Sequence, residues 1–337
     1  MASKSFQTLQ LGRETVQGTN VPATIKWAGP GASFRDGLKM EFPMEDIGIV
    51  GGTDRSFIPS VLAEFDTNET ELTFEQFPNI LEASIVAATP AADGAGTDKI
   101  YTYPLIDTAE PDYTTLKAYS AEFGDSNQYE EASFCLCSEW ELKGKTESAW
   151  KMTSKWFGRQ VANTTKTAGL AASTVSSALF QKTKLYVDAV AGSFGATQIA
   201  STLLEANIKC TTGWYPIYTG DGNLYWTLPG FDSEKYNIQI DLTLLMNSSA
   251  VAQRDAWRLE TPKLLTLKSE GPALTSAGTT YSVKTILQNY AGKWQSFDPI
   301  SSQNGTSIVK ASFINRYNAT KADRGNIIVV NELTTLP

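Results

Sequence analysis

Three observations predict a mainly β protein. Apolar and polar residues alternate with period two in many segments, turn dipeptides punctuate them, and only two stretches carry helical spacing. In chain order, the first helix follows Thr73, whose side chain can cap while Gln76 reaches back in a capping box. Phe74, Phe77, Leu81 and Ile85 then fall at helical spacing, and Pro78 implies a turn before the regular helix. Next comes a hairpin. Phe134, Leu136, Trp140 and Leu142 are expected on one face, with Glu139, Glu141 and Lys143 on the other. Trp150, Met152 and Trp156 repeat the inward pattern against Lys151, Thr153 and Lys155, with Gly144-Lys145-Thr146 as the connection. Tyr236, Ile238, Ile240, Leu242 and Leu244 alternate in the same way, and similar runs lie near 184–188, 203–211, 263–269, 281–288 and 307–317. The second helix runs from Ser249 to about Glu260, with Ala252, Ala256 and Leu259 as its stripe and Pro262 as its stop. Asp-Gly at 36–37, 93–94 and 221–222, with Asn304-Gly305, supplies the turns.

The composition narrows the chemistry. The chain has 337 residues, 28 basic and 36 acidic, for a net charge of −8, and no histidine. Ser-His-Asp and Cys-His catalysis are excluded, and the commonest zinc ligand is missing. A net acidic chain has the wrong sign for gripping phosphates, so a nucleic-acid-binding protein is not expected. Cys135, Cys137 and Cys210 are too few for a disulfide scaffold or a four-ligand metal site, and read as half-buried thiols of a reducing compartment. Met1 to Phe6 lacks the apolar run of a secretory signal, and no stretch approaches the ~20 apolar residues of a membrane span.

No catalytic or cofactor motif survives inspection. Gly144-Lys145-Thr146 lacks the upstream glycine of a phosphate loop, where Glu139 stands instead. Asp125-Ser126-Asn127 opens like a calcium loop, but its sixth position is Glu130. Carboxylate pairs such as Glu130-Glu131 read as solvated strand faces rather than a glycosidase centre. No enzyme, no cofactor and no metal is expected.

The two helices suggest an internal repeat, since each is preceded by strands and followed by four. Apolar runs begin near 100, 114, 132 and 149 after the first, and near 263, 280, 307 and 326 after the second. Charge divides at the connector between them: residues 1–165 carry 13 basic and 24 acidic groups, net −11, and residues 166–337 carry 15 and 12, net +3.

Several short motifs, weak singly but collinear, resemble the major tail tube proteins of long-tailed bacteriophages. They are Leu11-Gly12-Arg13-Glu14, Gly51-Gly52-Thr53-Asp54-Arg55, Phe74-Glu75-Gln76-Phe77-Pro78, Gly158-Arg159-Gln160, Thr212-Gly213-Trp214, Phe297-Asp298-Pro299 and Arg316-Tyr317-Asn318. The resemblance implies two tandem β-sandwich or partial-barrel domains, each with one short flanking helix. The expected division is an N-terminal arm at 1–33, a first domain at 34–165, a linker at 166–177 and a second domain at 178–337. It further implies a structural virion protein, assembled in the host cytoplasm and located in the tail. Stacked rings of this protein would form a tube that conducts DNA.

The partners implied are further copies of the chain, the tape-measure, tail-tip and tail-terminator proteins, and double-stranded DNA passing without specific binding; no membrane is involved. A duplicated chain would make a trimeric, pseudo-sixfold ring, and a single elaborated domain a hexamer. The lumen is expected to be net acidic, with Glu130, Glu131, Glu139 and Glu141 as candidates. An extended loop at 44–60, with Ile47, Ile49, Val50, Arg55, Phe57 and Ile58, is expected to contact the next ring. The other reading is a β-sandwich carbohydrate- or receptor-binding module, which the eight tryptophans could serve as a platform.

Overall fold

A computed structural model of the chain describes residues 7–32 and 34–336. Its first half contains β1 (Thr8–Arg13), β2 (Ile25–Lys26), β3 (Phe34–Asp36), β4 (Ala63–Glu71), α1 (Phe77–Ser84), β5 (Ala91–Ala92) and β6 (Lys99–Pro104). β7 (Tyr119–Gly124), β8 (Tyr129–Lys145), β9 (Lys151–Gly158) and β10 (Ala162–Thr164) complete it. The second half contains β11 (Thr183–Ala189), β12 (Leu203–Thr211), β13 (Trp214–Ile217), β14 (Leu228–Phe231), β15 (Asn237–Leu245) and α2 (Ser248–Arg258). It ends with β16 (Lys263–Ala273), β17 (Val283–Phe297), β18 (Ser301–Gln303), β19 (Thr306–Asn315) and β20 (Gly325–Asn331). The protein is mainly β, as expected. Apart from the isolated β13–β14 hairpin, the strands form one antiparallel network of eighteen, with no closed barrel among the described residues.

The network is organised by two long strands that each serve two sheets. The N-terminal part of β8 lies between β7 and β10, and β7 carries β1 and then β2. The C-terminal part of β8 pairs with β9, which carries β4 and then β3. β17 repeats this. Its first part lies between β16 and β20, with β11 beyond β16, and its last part pairs with β19, which carries β15 and then β12. Even the irregularities coincide. The register slips by one residue at Ser138 in β8, between the Cys137–Trp156 and Glu139–Lys155 pairs, and at Gln295 in β17, between Trp294–Phe313 and Ser296–Ser312.

These pairings adjust the sequence-level count of strands. The counterparts of β16, β17, β19 and β20 are β7, β8, β9 and β10. β6 is an addition that leaves its own half and pairs with β20.

The slip at Ser138 also corrects the expected faces of β8. One extra residue reverses the alternation. Trp140 and Leu142 therefore share the main core with Cys135 and Cys137, while Phe134 and Leu136 join a smaller cluster with Phe157, Trp214 and Trp226. All three cysteines are free and fully buried rather than half-buried, and burial pushes each thiol up.

The N-terminal segment is no free arm where it is described. β1 pairs with β7 over six residues, and Leu9, Leu11, Ile25 and Trp27 are buried. Residues 1–6 lie outside the described part. The connector at 166–177 runs along the first half, where Thr167 bonds Glu122, Ser173 bonds the Lys26 carbonyl and Ser176 bonds Glu75.

Both helices sit where expected, with differences. The Thr73 hydroxyl accepts from the Gln76 N–H at 3.2 Å, and the Gln76 amide, in the orientation that satisfies both its atoms, reaches back to donate to that hydroxyl at 3.2 Å; its oxygen accepts from the Ala28 N–H and not, as in a capping box, from the Thr73 N–H. Pro78 stands in the first turn, where its missing N–H costs nothing. α2 is capped by Asn247, whose Oδ1 accepts from the Ala250 N–H at 3.0 Å. Its buried residues are Ala250, Gln253 and Ala256, so of the expected stripe only Ala256 is buried, and Ala252 and Leu259 are exposed.

Candidate assembly surfaces

Three surfaces stand out once the strands are placed: a broad polar face, two open sheet edges and a projecting arm. The polar face belongs to the sheet β4–β9–β8–β12–β15–β19, whose opposite side carries Trp140, Met152, Trp156, Ile208 and Ile240 into the core. It bears Glu139, Glu141, Lys143 and Lys145 from β8, with Lys155 and Lys151 opposite on β9 and Lys209 and Glu205 opposite on β12. A groove of about 820 Å³ crosses it, lined by Lys143, Glu205, Asn207, Asp241, Lys310 and Ser312 among others.

The charges that β8 and its two neighbours bring to this face are paired, whereas Lys310 and Asp241 in the groove make no ion pair among the described residues. Glu139 receives Lys155 at 2.9 Å and Lys209 at 3.4 Å, and Glu141 receives Lys143 at 2.8 Å. Burial alone would push the Glu141 carboxyl up, but hydrogen bonds from Lys143 and Asn207 outweigh it and hold it below the usual range. The bond to Glu139 pushes Lys155 up. The structure thus places Glu139 and Glu141 on one face, amid lysines that answer them. It does not bring Glu130 and Glu131 there. They lie in the other part of β8, opposite Asn163 and Ala162 of β10.

The edges carry the most informative geometry. Where the halves meet, the C-terminal part of β8 pairs with β12 over seven residues, Glu205↔Lys145 to Thr211↔Glu139. β8 closes the four-strand unit β3–β4–β9–β8, and β12 opens the unit β12–β15–β19–β17. The counterpart of β12 at the other end is β3, which pairs only with β4 among the described residues. The counterpart of the C-terminal part of β8 is the end of β17, extended by β18, which pairs there only with β19. Each free edge therefore repeats one partner of a junction already made inside the chain.

The register extends to single residues. Phe65 and Ile240 face Trp156 and Phe313 respectively, and in turn face Phe34 and Ile208. The next residues along are Arg35 and Lys209. In the internal junction Lys209 stands opposite Glu141, two residues past Glu139. Two residues past Ser296, the counterpart of Glu139, stands Asp298. Sequence reasoning marked neither as a contact residue, Asp298 standing only in the Phe297-Asp298-Pro299 motif, because an edge position has no local signature.

The arm spans residues 38–57 and is closed at its base by an antiparallel bridge between Glu41 and Phe57. Arg55 bonds Glu45 across it, and the Thr53 hydroxyl donates to Glu45 at 2.9 Å. Among the expected contact residues, Ile47, Ile49, Val50 and Phe57 are exposed, Arg55 is exposed but engaged within the arm, and Ile58 is half-buried at its root. Leu38, Met40, Phe42 and Met44 are exposed as well, and their even spacing was the signal that could have found them. Such a run of bare apolar side chains is unusual on the surface of an isolated chain.

Seven of the eight tryptophans are buried, and Trp257 is half-buried. Trp27, Trp140, Trp150, Trp156, Trp214, Trp226 and Trp294 are all at most 5% exposed. Among the described residues no group of three or more histidine, cysteine or carboxylate side chains is placed to hold a metal, and no helix is long and apolar enough to cross a membrane. No family model matches the chain, and no curated protein matches it.

Proposed function

We propose that this chain is a structural subunit that closes head to tail into rings which stack as the tail tube of a long-tailed bacteriophage. The observation that carries the reading is the repeated edge. A second copy that sets its β3 against the end of β17 would repeat the β8–β12 junction, and such a heterologous contact closes into a ring when its rotation divides the circle. Closure also removes both open edges, which otherwise invite uncontrolled pairing. With two equivalent sheet units per chain, three chains make six positions.

The polar face becomes the channel lining; with three glutamates against five lysines on β8, β9 and β12 it is a charge-paired lining, not the net acidic one expected from the sequence. Lysines already held by Glu139, Glu141 and Glu205 have less to offer a passing phosphate, which suits a conduit that must not retain DNA. The apolar arm reaches the neighbouring ring. The tape-measure, tail-tip and terminator proteins would meet the same edges and arm at the ends of the tube.

Electron microscopy of the purified chain, with mass measurement of an isolated ring, tests this. Rings or tubes built from units of about three times 36.7 kDa are expected. A monodisperse monomer at high concentration would overturn the proposal, and a ring of six chains would overturn the trimer.

A further inference from the structure

Away from the polar face, loops from the two halves meet. Residues 93–98, between β5 and β6, form a short turn with Asp93 and Asp98 at its ends, and the 274–282 connection between β16 and β17 lies over it. The Asp93 carbonyl accepts from the Thr279 N–H at 3.2 Å, and its Oδ2 accepts from the N–H groups of Thr280 at 2.7 Å and Tyr281 at 2.8 Å. The Thr97 N–H donates to the Ser276 carbonyl at 3.1 Å.

Asp98 is different from its neighbour. It has no exposed surface, no N–H or O–H donor among the described residues bonds either carboxylate oxygen, and the Asp93 carboxylate stands within hydrogen-bond reach, a contact that only a proton or a cation between the two can make favourable. Both carboxylates converge on one spot: a methyl group added at Gly278 would collide with Asp93 Oδ2 and lie 2.6 Å from Asp98 Oδ1. One added at Gly96 would collide with Asp98 Oδ1 too. Gly94, at φ +68°, turns the chain between them. Gly96 and Gly278 thus let the two loops approach closely with a carboxylate oxygen against each, and Gly94 does the same against the Thr279 hydroxyl.

We propose that Asp93 and Asp98 bind a calcium-sized divalent cation that clamps the 93–98 loop of the first half to the 274–282 loop of the second. A buried carboxylate with nothing opposite it is strongly disfavoured, and something must compensate it. A shared proton would satisfy one oxygen of Asp98 and orphan the other, whereas a cation can contact both. Oxygen ligands on a glycine-rich turn suit calcium, which accepts irregular geometry, better than magnesium, which demands an octahedron. Two carboxylates make a weak site, with half-saturation at about 10⁻⁴–10⁻³ M.

The test uses the full chain after chelator treatment. Calcium chloride at about ten times half-saturation should raise the Tm by about 2 °C, and equal magnesium should do less. Asp98→Asn should abolish the calcium response and be no less stable than the wild type without calcium. Asp125→Asn, in the exposed turn at 125–127, should leave the response intact. Terbium emission sensitised by Tyr281, read on the wild-type chain, keeps the proposal testable if Asp98→Asn does not fold. Displacement of terbium by calcium supports the site. No calcium response up to about 10 mM, no displaceable terbium, or a response that survives Asp98→Asn overturns it.

Discussion

Tyr119 has no exposed surface, and its hydroxyl donates to Asn79 Oδ1 at 3.0 Å close to the ionised Glu82–Arg13 pair. Burial first, and the Glu82 charge second, push its phenol well up, and Tyr103 follows for the same reasons. Burial pushes Tyr101 up to about 12, and Tyr290 is raised by burial as well. The sign follows directly. These phenols stay protonated in the folded chain while the unfolded chain loses its protons near pH 10, so their stability is fully present below pH 10 and is lost as pH rises through the folded values. Urea unfolding should show stability falling above pH 10 by about 1.4 kcal/mol per pH unit for each such tyrosine. Absorbance of tyrosinate should show a fraction of the tyrosines ionising only as the chain unfolds. Ionisation of all of them in the folded protein at pH 11 would contradict this. None of it was legible in the sequence, because burial of a tyrosine is decided by partners a hundred residues away.

At the scale of elements, the period-two pattern placed most long strands, since alternation reflects a sheet with one buried face, and spacing at about 3.6 placed the two helices. It failed at β8 because a bulge leaves no mark in composition: Ser138 looks like any strand residue. Its role is checked by removal. Deleting Ser138 should turn either Cys135 and Cys137 or Trp140 and Leu142 out of the core, at a cost of more than about 3 kcal/mol, while Ser138→Ala should change stability by under about 1 kcal/mol. Denaturant midpoints of the two variants decide it. The arm is the opposite case. Its tip glycines Gly48, Gly51 and Gly52 have no other atoms within 4 Å of an added methyl group, so the tip adds nothing to the core. Replacing residues 47–54 with a short glycine-serine turn should leave thermal unfolding unchanged and abolish tube growth in sedimentation. Full-length tubes from that variant would remove the arm from stacking.

For the whole molecule, the duplicated topology was only partly legible. The two helices and the change of charge near residue 165 hinted at it, but residue identities do not repeat, and β6 misled the count by crossing to the other half. Register supplies what identity does not. Setting β3 of one copy against β17 of the next places Arg35 opposite Asp298, as Lys209 stands opposite Glu141 within the chain. Arg35→Glu should therefore weaken ring formation, Asp298→Arg likewise, and the double exchange should restore it, measured as the protein concentration at which rings half-form. A like-charge pair set directly across two strands is unfavourable by about 0.2–1 kcal/mol per contact, repeated at every junction. Failure of the double exchange to rescue would discard this register.

The β8–β12 junction has a kinetic consequence. Because one covalent chain supplies both strands, that contact forms at a fixed, high local concentration and survives any dilution. A junction of the same design between chains obeys mass action and opens as the solution thins. An assembly built from both kinds of contact thus has every second seam welded in advance. In the proposed ring, a three-body encounter would replace a six-body one at the start, and dilution would take it apart only into whole chains.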